Sequence, residues 1–442
     1  MTDKAVSVVG GGLAGSEAAW QLASRGIPVT LFEMRPLSMT PAHSTDRLAE
    51  VVCSNSFGAD SQSSPAGILK RELRRMDSLI LRCADEASLP AGKALAVDRD
   101  IFSRLVTERL ESHPLVTIRR VECTSIPSGP AIIATGPLTS PSLAEKLAEV
   151  AGEGYLSFFD AVAPVVTLES IDKRKAFRSG RWGQEADYYN CPFTREEYEA
   201  FWHALTTAER AVPHDFEDSP SWFEGCLPVE VMASRGIDTL RFGPLRPVGL
   251  PLPDTGKEAW AVVQLRQDNR EGTLYNLVGF QTSLRWGEQE RVFRMIPGLE
   301  EAEFARFGVM HRNIYVNAPA VLDSRLRFRS GREDLFLAGQ ITGVEGYMES
   351  TAMGLAAAIN MAALIEGNPF PEWPRLTALG SLLHYLSDAH EKGFHPMNVN
   401  LGIFPPLKEK IRNKALRCEM VSERARLALE EFLAPPEASS GG

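Results

Sequence analysis

The chain has 442 residues and a mass of 48.6 kDa, too long for one ordinary core, so about two domains are expected. Hydrophobic residues make up 44% and charged residues 24%, a globular average that excludes a disordered, collagen-like or coiled-coil chain. With 47 basic against 57 acidic side chains the net charge is −10, so a nucleic-acid partner requires a local basic patch.

The first residues enter a strand pattern without a basic segment followed by an apolar one, so no secretory signal is expected and the cytoplasm is the default compartment. Residues 5–9 read as a buried strand, 13–24 carry apolar residues at helical spacing, and 28–33 read as a second strand, a βαβ unit that implies parallel sheet. Residues 36–65, rich in Ser, Thr, Pro and Asp, read as a long loop, and loops of that length tend to be functional. Residues 67–87 read as one basic amphipathic helix, 98–112 as another, and 115–121 and 131–135 as strands. From 155 to 315 strand-like runs at 162–168, 259–265 and 275–281 alternate with aromatic and polar loops, which points to an inserted domain. The βα pattern returns as a strand at 334–338 and an Ala- and Gly-rich helix at 349–365. A basic segment at 407–416 and a disordered tail at 435–442 follow. No apolar run approaches the roughly 20 residues of a membrane span. The six cysteines show no C-x-x-C spacing, so reduced thiols are expected.

Gly10, Gly12 and Gly15 spell G-x-G-x-x-G where the first strand meets the first helix, with Gly11, Leu13 and Ala14 completing the turn. Glycine there permits a tight turn and close backbone approach to a pyrophosphate held at the helix N-terminus. Glu33 ends the second strand, where a carboxylate accepts hydrogen bonds from both ribose hydroxyls and repels a 2′-phosphate. FAD and NAD both fit that fingerprint. Two later features favour FAD. The segment AIIATG at 131–136, containing Ala134 and Gly136, resembles a strand-to-turn signature of two-dinucleotide-domain flavoproteins. Residues 334–354 resemble their closing motif, in which Gly339 and Gln340 bring backbone to the ribityl chain and a helix N-terminus near Gly346 meets the flavin.

Beyond these, VVGGGLAGSEAAWQLASRGIPVTLFEMRP, VVCSNSFGAD, FEGCLPVEVMA, VVQLRQDN and FLAGQITGVEGYMESTAMGLAAAIN, spread over nearly the whole chain, resemble the folate- and FAD-dependent tRNA (uracil-5-)-methyltransferases. Met348 and residues 351–353 depart from the family wording, though its glycines stand. The resemblance implies an α/β fold: a Rossmann-like FAD-binding domain of the two-dinucleotide-domain type, split into 1–155 and 316–434 around an inserted α+β domain at 156–315 that faces substrate and RNA. It implies 5-methyluridine formation at uridine 54 of the tRNA T loop, with 5,10-methylenetetrahydrofolate as carbon donor and tetrahydrofolate as product. FAD reduced by NADH or NADPH would supply the reducing equivalent and carry the methylene. The nearest relative in fold, a tRNA wobble-uridine-modifying flavoprotein, is longer. That protein, and a flavin-dependent NAD(P)H oxidoreductase without RNA, are the alternatives.

Uracil C5 is a poor nucleophile, so its methylation starts with a thiolate adding to C6, and a base must later remove the C5 proton. Cys226 and Cys53 stand in the matching motifs among Gly, Ser, Asn and Pro, and are assigned as nucleophile and as base or helper thiol, in an order left open. Cys83, Cys123, Cys191 and Cys418 read as structural thiols, the first two within regular elements. Arg241, Arg246 and Arg266 are candidates to lower the Cys226 pKa or to hold RNA phosphate. Three basic clusters could meet tRNA: Lys70, Arg71, Arg74 and Arg75; Lys173, Arg174, Lys175, Arg178 and Arg181; and Lys408, Lys410, Arg412, Lys414 and Arg417. Trp182, Tyr188, Tyr189 and Phe193 follow the second and could stack on bases. None of the eight histidines has ligand spacing, so no metal is expected, and His43 reads as a surface histidine. No membrane and no stable protein partner are expected.

Overall fold

The computed structural model describes residues 5–40, 42–151, 155–161, 163–211, 227–308, 310–329, 331–388, 394–409 and 411–434. Cys226, Lys410 and the expected disordered tail at 435–442 lie outside the described residues.

Five strands form an all-parallel sheet in the order Leu335–Leu337, Ala131–Ile133, Val6–Val9, Val29–Glu33, Val116–Arg120. Val6, Val8, Leu31, Ile132 and Phe336 are fully buried, as continuous apolar strands require when helices cover both faces. Each such side chain contributes about 1.5–3 kcal/mol by leaving water. Helix Leu13–Ala23 begins at Gly12 and is buried on nearly every side. Against it lies helix Tyr347–Glu366, which ends at Gly367 in the left-handed conformation. By length and composition that helix could cross a membrane, yet 78% of its apolar window is buried inside the protein. The two helices touch through backbone: a Cβ on Gly354 would lie 2.2 Å from the carbonyl oxygen of Ala14.

The single helix expected over 67–87 is two helices, Pro65–Arg75 and Leu79–Glu86. Asp77 takes a positive φ of 59° between them, and Ser78 caps the second by accepting from the Leu81 amide. The expected loop at 36–65 includes strand Ser56–Ala59, paired with Ala94–Val97. Helices Pro141–Ala151, Arg195–Thr207, Ala378–Ser387 and Lys414–Leu433 have no counterpart in the sequence expectation beyond the start of the last, which the basic segment overlaps.

A second core, from Val166 to Ala302, lies under a six-stranded sheet ordered Phe177–Ser179, Tyr188–Phe193, Ala261–Gln267, Leu274–Leu277, Val165–Thr167, Phe304–Arg306. Strands Tyr155–Ala161 and Met310–Val316 pair antiparallel and carry the chain out to this core and back; Tyr315 and Val316 already pack in the first.

The first core encloses carboxyls. Glu72 accepts from the amides of Ala378 (2.7 Å) and Leu379 (2.9 Å) at a helix N-terminus. Burial outweighs those bonds and raises its pKa to about 7. A raised carboxyl holds its proton in the folded state to higher pH than in the unfolded one, so its contribution is complete below about pH 4.5 and is lost as pH climbs to about 7. Between pH 5 and pH 8, urea unfolding should therefore shift in favour of Glu72→Gln over the parent, by on the order of 2 kcal/mol. A difference constant across that range would show that Glu72 ionises normally.

Candidate active site at the dinucleotide cleft

The parallel strands end at a cleft of ≈ 1030 Å³, including its open mouth, lined by Gly10, Gly11, Gly12, Leu13, Ala14, Glu33, Ala134, Gly136, Gly339 and Gln340 among others. Gly10 has a φ of +102°, and a Cβ there would lie 2.5 Å from the Ala134 carbonyl oxygen; at Gly15 it would lie 1.8 Å from that of Gly10. Only glycine lets the two strand ends and the helix meet this closely. Gly339, at φ +80°, packs against Ala14 in the same way, with its Cβ position 2.7 Å from that side chain. Gly15 and Gly346 do not line the cleft: Gly15 packs on the Gly10 carbonyl, and at Gly346 a Cβ would lie 2.2 Å from Glu349 Oε2. At Gly12 and Gly136, by contrast, a Cβ would meet nothing within 4 Å. That open space, beside first-turn amides that lack intrahelical acceptors, fits the pyrophosphate of a dinucleotide such as FAD.

Glu33 is more occupied than its position in sequence conveys. Its Oε2 accepts from the Gly11 amide (2.9 Å) and Arg35 Nη2 (3.2 Å), and its Oε1 from Arg35 N (3.0 Å) and Nε (2.9 Å). Burial opposes ionisation, but the Arg35 hydrogen bonds and charge, with the Gly11 amide, hold the carboxyl below its ordinary value. With four donors already on its two oxygens, Glu33 braces the glycine turn as well as facing the cleft. Arg35 also bridges to Glu50 at 3.1 Å.

Cys53 stands at the first turn of helix Tyr347–Glu366. The Tyr347 hydroxyl accepts from the amides of Cys53 (2.9 Å) and Ser54 (3.2 Å) and lies 2.9 Å from Cys53 Sγ. Burial first, and Cys53 second, push the phenol pKa well above its usual value, so the phenol keeps its proton. With both lone pairs taken by amides, that proton points to sulfur, an arrangement that favours the thiolate. Behind the thiol, Arg266 donates to Asn55 Oδ1 (3.0 Å) and Ser54 Oγ (2.8 Å), and Arg99 pairs with Asp268 at 3.0 Å while donating to the Val51 carbonyl. Arg306 is pushed down to about 10 by burial first and by the charge of Arg99 second. Its Nε and Nη2 are buried without a hydrogen-bond partner. Three guanidiniums, of Arg99, Arg266 and Arg306, thus gather at the Cys53 segment with the Asp268 carboxylate among them.

The model of the Glucose inhibited division protein A family matches residues 5–369. The methylenetetrahydrofolate–tRNA-(uracil-5-)-methyltransferase TrmFO of Listeria monocytogenes serotype 4b is 55% identical over 429 residues, 97% of this chain and 98% of its own. That of Moorella thermoacetica is 58% identical over 427 residues, covering 96% and 97%. The chain belongs to this family. Among solved structures, Aquifex aeolicus GidA in its form II crystal superposes with a TM-score of 0.68 at 16% identity, covering 99% of this chain and 75% of that one, a likeness of fold.

In this family member the sequence missed Tyr347, although it directly follows Gly346, and it missed Arg35, Arg99 and Arg306. Cys123, expected within a regular element, lies in the irregular segment after strand Val116–Arg120 and lines the cleft, half-buried, its thiol pushed up by burial. His43 also lines the cleft, with Nδ1 2.6 Å from Thr40 Oγ1. Cys83 is buried and pushed up to about 11, and Cys191 is raised further by complete burial, as structural thiols are. Arg266 serves the Cys53 segment, while Arg241 lies 3.7 Å over the Trp260 ring. The first basic cluster is engaged internally: Lys70 donates to the Ala59 carbonyl, Arg71 to Ser422, Arg74 pairs with Asp60 and Asp85, and Arg75 with Glu430. In the second, Arg174 pairs with Asp172, Lys175 with Glu300, and Arg178 lies over Tyr189. In the third, Lys408, Arg412 and Arg417 are exposed.

Replacing Tyr347 by Phe removes the proton aimed at sulfur and strands two amides. Alkylation of Cys53 at pH 7.5, followed by peptide mass spectrometry, should slow by about 10-fold, the value of one such bond to a charged acceptor, with the rate recovering as pH rises. An unchanged rate would show that the phenol does not support the thiolate.

Proposed function

We propose that this protein forms 5-methyluridine in tRNA, at uridine 54 of the T loop, taking the carbon from 5,10-methylenetetrahydrofolate, with FAD as its bound cofactor and NADH or NADPH as reductant. The observation that carries this reading is identity of 55–58% over nearly the full length with proteins named for that reaction. The cytoplasm is the proposed place of action.

The chemistry divides among groups in this chain. The Cys226 thiolate adds to uracil C6, and the ring electrons move to make C5 nucleophilic. C5 attacks the methylene carbon, breaking its π bond to the carrier nitrogen. A base then takes the C5 proton, and the freed electron pair expels the carrier nitrogen, leaving an exocyclic methylene with Cys226 still on C6. A hydride equivalent adds to that methylene to make the methyl group, and the displaced pair expels Cys226 sulfur and restores the C5–C6 double bond. FAD, when bound and reduced, supplies that hydride and relays the carbon. Cys53 is the proposed base: the Tyr347 proton directed at its sulfur supports a thiolate there, and the neighbouring guanidiniums favour negative charge. The Gly10–Gly15 turn with Glu33, the Ala134–Gly136 turn, and the Gly339–Gly346 segment are proposed to hold the dinucleotide. Among the described residues no group of His, Cys, Asp or Glu is arranged to hold a metal, and none is invoked.

Unmodified tRNA incubated with the protein, NADPH and methylenetetrahydrofolate labelled in its methylene carbon should yield labelled 5-methyluridine at one T-loop position, and none with S-adenosylmethionine as sole donor. Cys53→Ala and Cys226→Ala should each lower product formation by about 100-fold or more while NADPH still reduces the flavin. No label with normal flavin reduction would contradict the methylase reading and leave an oxidoreductase without RNA.

A further inference from the structure

The turn between strands Phe177–Ser179 and Tyr188–Phe193 carries Trp182 at φ 60° and ψ 33°, a left-handed conformation that a bulky residue keeps only when its surroundings enforce it. The surroundings here are specific. The Trp182 amide donates to the Gly249 carbonyl at 3.0 Å. Arg181 donates to Gln264 Oε1 (3.1 Å), to the Val248 carbonyl (2.7 Å) and to the Arg246 carbonyl (2.8 Å), tying the two turns together. Gly249 has a φ of +84°, and a Cβ there would lie 2.9 Å from Cδ2 and Cε2 of the indole, so one side of the ring rests on glycine backbone. For all this support the side chain is 69% exposed. Phe242, the last residue of the short helix Thr239–Phe242 that leads into the neighbouring turn, is 82% exposed, and Arg246 is exposed without an ion pair among the described residues. Its charge reaches Arg181, whose guanidinium is pushed down by burial first and by Arg246 second.

Single exposed apolar residues are ordinary, but an exposed indole held on a joined pair of turns, with a second exposed ring four residues before the open guanidinium of Arg246, is not. Rings of this kind with arginine between them stack on unpaired bases and hold the adjoining phosphate. The patch also stands on the sheet edge that clamps Cys53. Tyr188, at the foot of the same hairpin, pairs in register with Arg266, whose guanidinium holds Ser54 and Asn55, and the Tyr188 hydroxyl donates to the Ala91 carbonyl at 3.0 Å. In a chain of net charge −10 whose first basic cluster is engaged in internal contacts, RNA affinity must come from local surfaces of this sort.

We propose that Trp182 and Phe242 form a platform on which unpaired bases of the tRNA, other than the uridine being methylated, stack, with Arg246 taking a neighbouring phosphate. This rests on tRNA being the substrate. The supported strain at Trp182 then has a use: it holds the ring ready at a fixed height above Gly249.

The test is the dissociation constant for unmodified tRNA, measured by filter binding without folate, alongside the KM and kcat of methyl transfer. Trp182→Ala and Phe242→Ala should each weaken tRNA binding by about 10-fold, with KM rising in parallel and kcat changing little. Trp182→Phe should recover most of the affinity. Gly249→Ala, which keeps the tryptophan but pushes its ring aside, should reproduce the Trp182→Ala loss. Arg246→Gln should reduce the slope of log affinity against log salt by about 0.7. NADPH-driven flavin reduction without tRNA should be unchanged in all five. Affinities within twofold of the parent for Trp182→Ala and Phe242→Ala would overturn the platform. A changed sedimentation of the free protein with unaltered tRNA affinity would do so as well, making the patch a contact between copies. Failure of the parent to methylate tRNA would strike at the function, and the binding series would still judge the platform.

Discussion

Two helices meet in this protein backbone to backbone at one glycine, and the site depends on that approach. Gly354 of helix Tyr347–Glu366 lies against the backbone of Ala14 in helix Leu13–Ala23, and Gly339 packs on the Ala14 side chain from the strand end. A methyl group at either glycine would overlap atoms already present, and overlap with backbone cannot be relieved by turning a side chain. Because the helices lie this close, their first turns open on one cleft. The first turn of Leu13–Ala23 offers amides and the open space at Gly12. The first turn of Tyr347–Glu366 offers the Tyr347 hydroxyl, which fixes Cys53.

A second constraint comes from the inserted sheet. The end of strand Ala261–Gln267 and the residues after it reach into the first domain through Arg266, Gln267 and Asp268, holding Ser54, Asn55 and Arg99. The Cys53 segment is therefore gripped from both cores: by a helix of the parallel-sheet domain on one side and by a strand end of the insert on the other. Buried charge accumulates at that seam. Asp268 offsets one of the guanidiniums of Arg99, Arg266 and Arg306, and the excess positive potential lies beside the thiol proposed above as the base.

Much of this was legible in the sequence, and the limits follow from physical range. The glycine fingerprint, the buried strand runs and the Ala- and Gly-rich helix are local patterns, with period and backbone demand written within a few residues of each other. They gave the parallel sheet, the cleft and ten of the residues that line it. The break at Asp77 was also local, since Ser78 is a good cap, but the apolar spacing on either side hid it. The capping box of Thr194 and Glu197 is likewise a local signal, yet helix Arg195–Thr207 was not expected from it. The contact between Cys53 and Tyr347 spans 294 positions and the grip of Arg266 on Ser54 spans 212, so neither leaves a trace in spacing. Glu33 illustrates the middle case: its place at a strand end was readable, while its four donors, three from the backbone and side chain of Arg35 and one from the Gly11 amide 22 positions away, were not.

The most direct test of the account is Gly354→Ala, at a residue that does not itself line the cleft. One added methyl must push helix Tyr347–Glu366 away from Ala14, so dinucleotide binding and Cys53 should suffer together. The account predicts weaker FAD binding by fluorescence titration and slower alkylation of Cys53 in the same variant, with helix content by circular dichroism retained. FAD affinity and Cys53 reactivity both equal to the parent's would contradict the claim that this glycine contact builds the site.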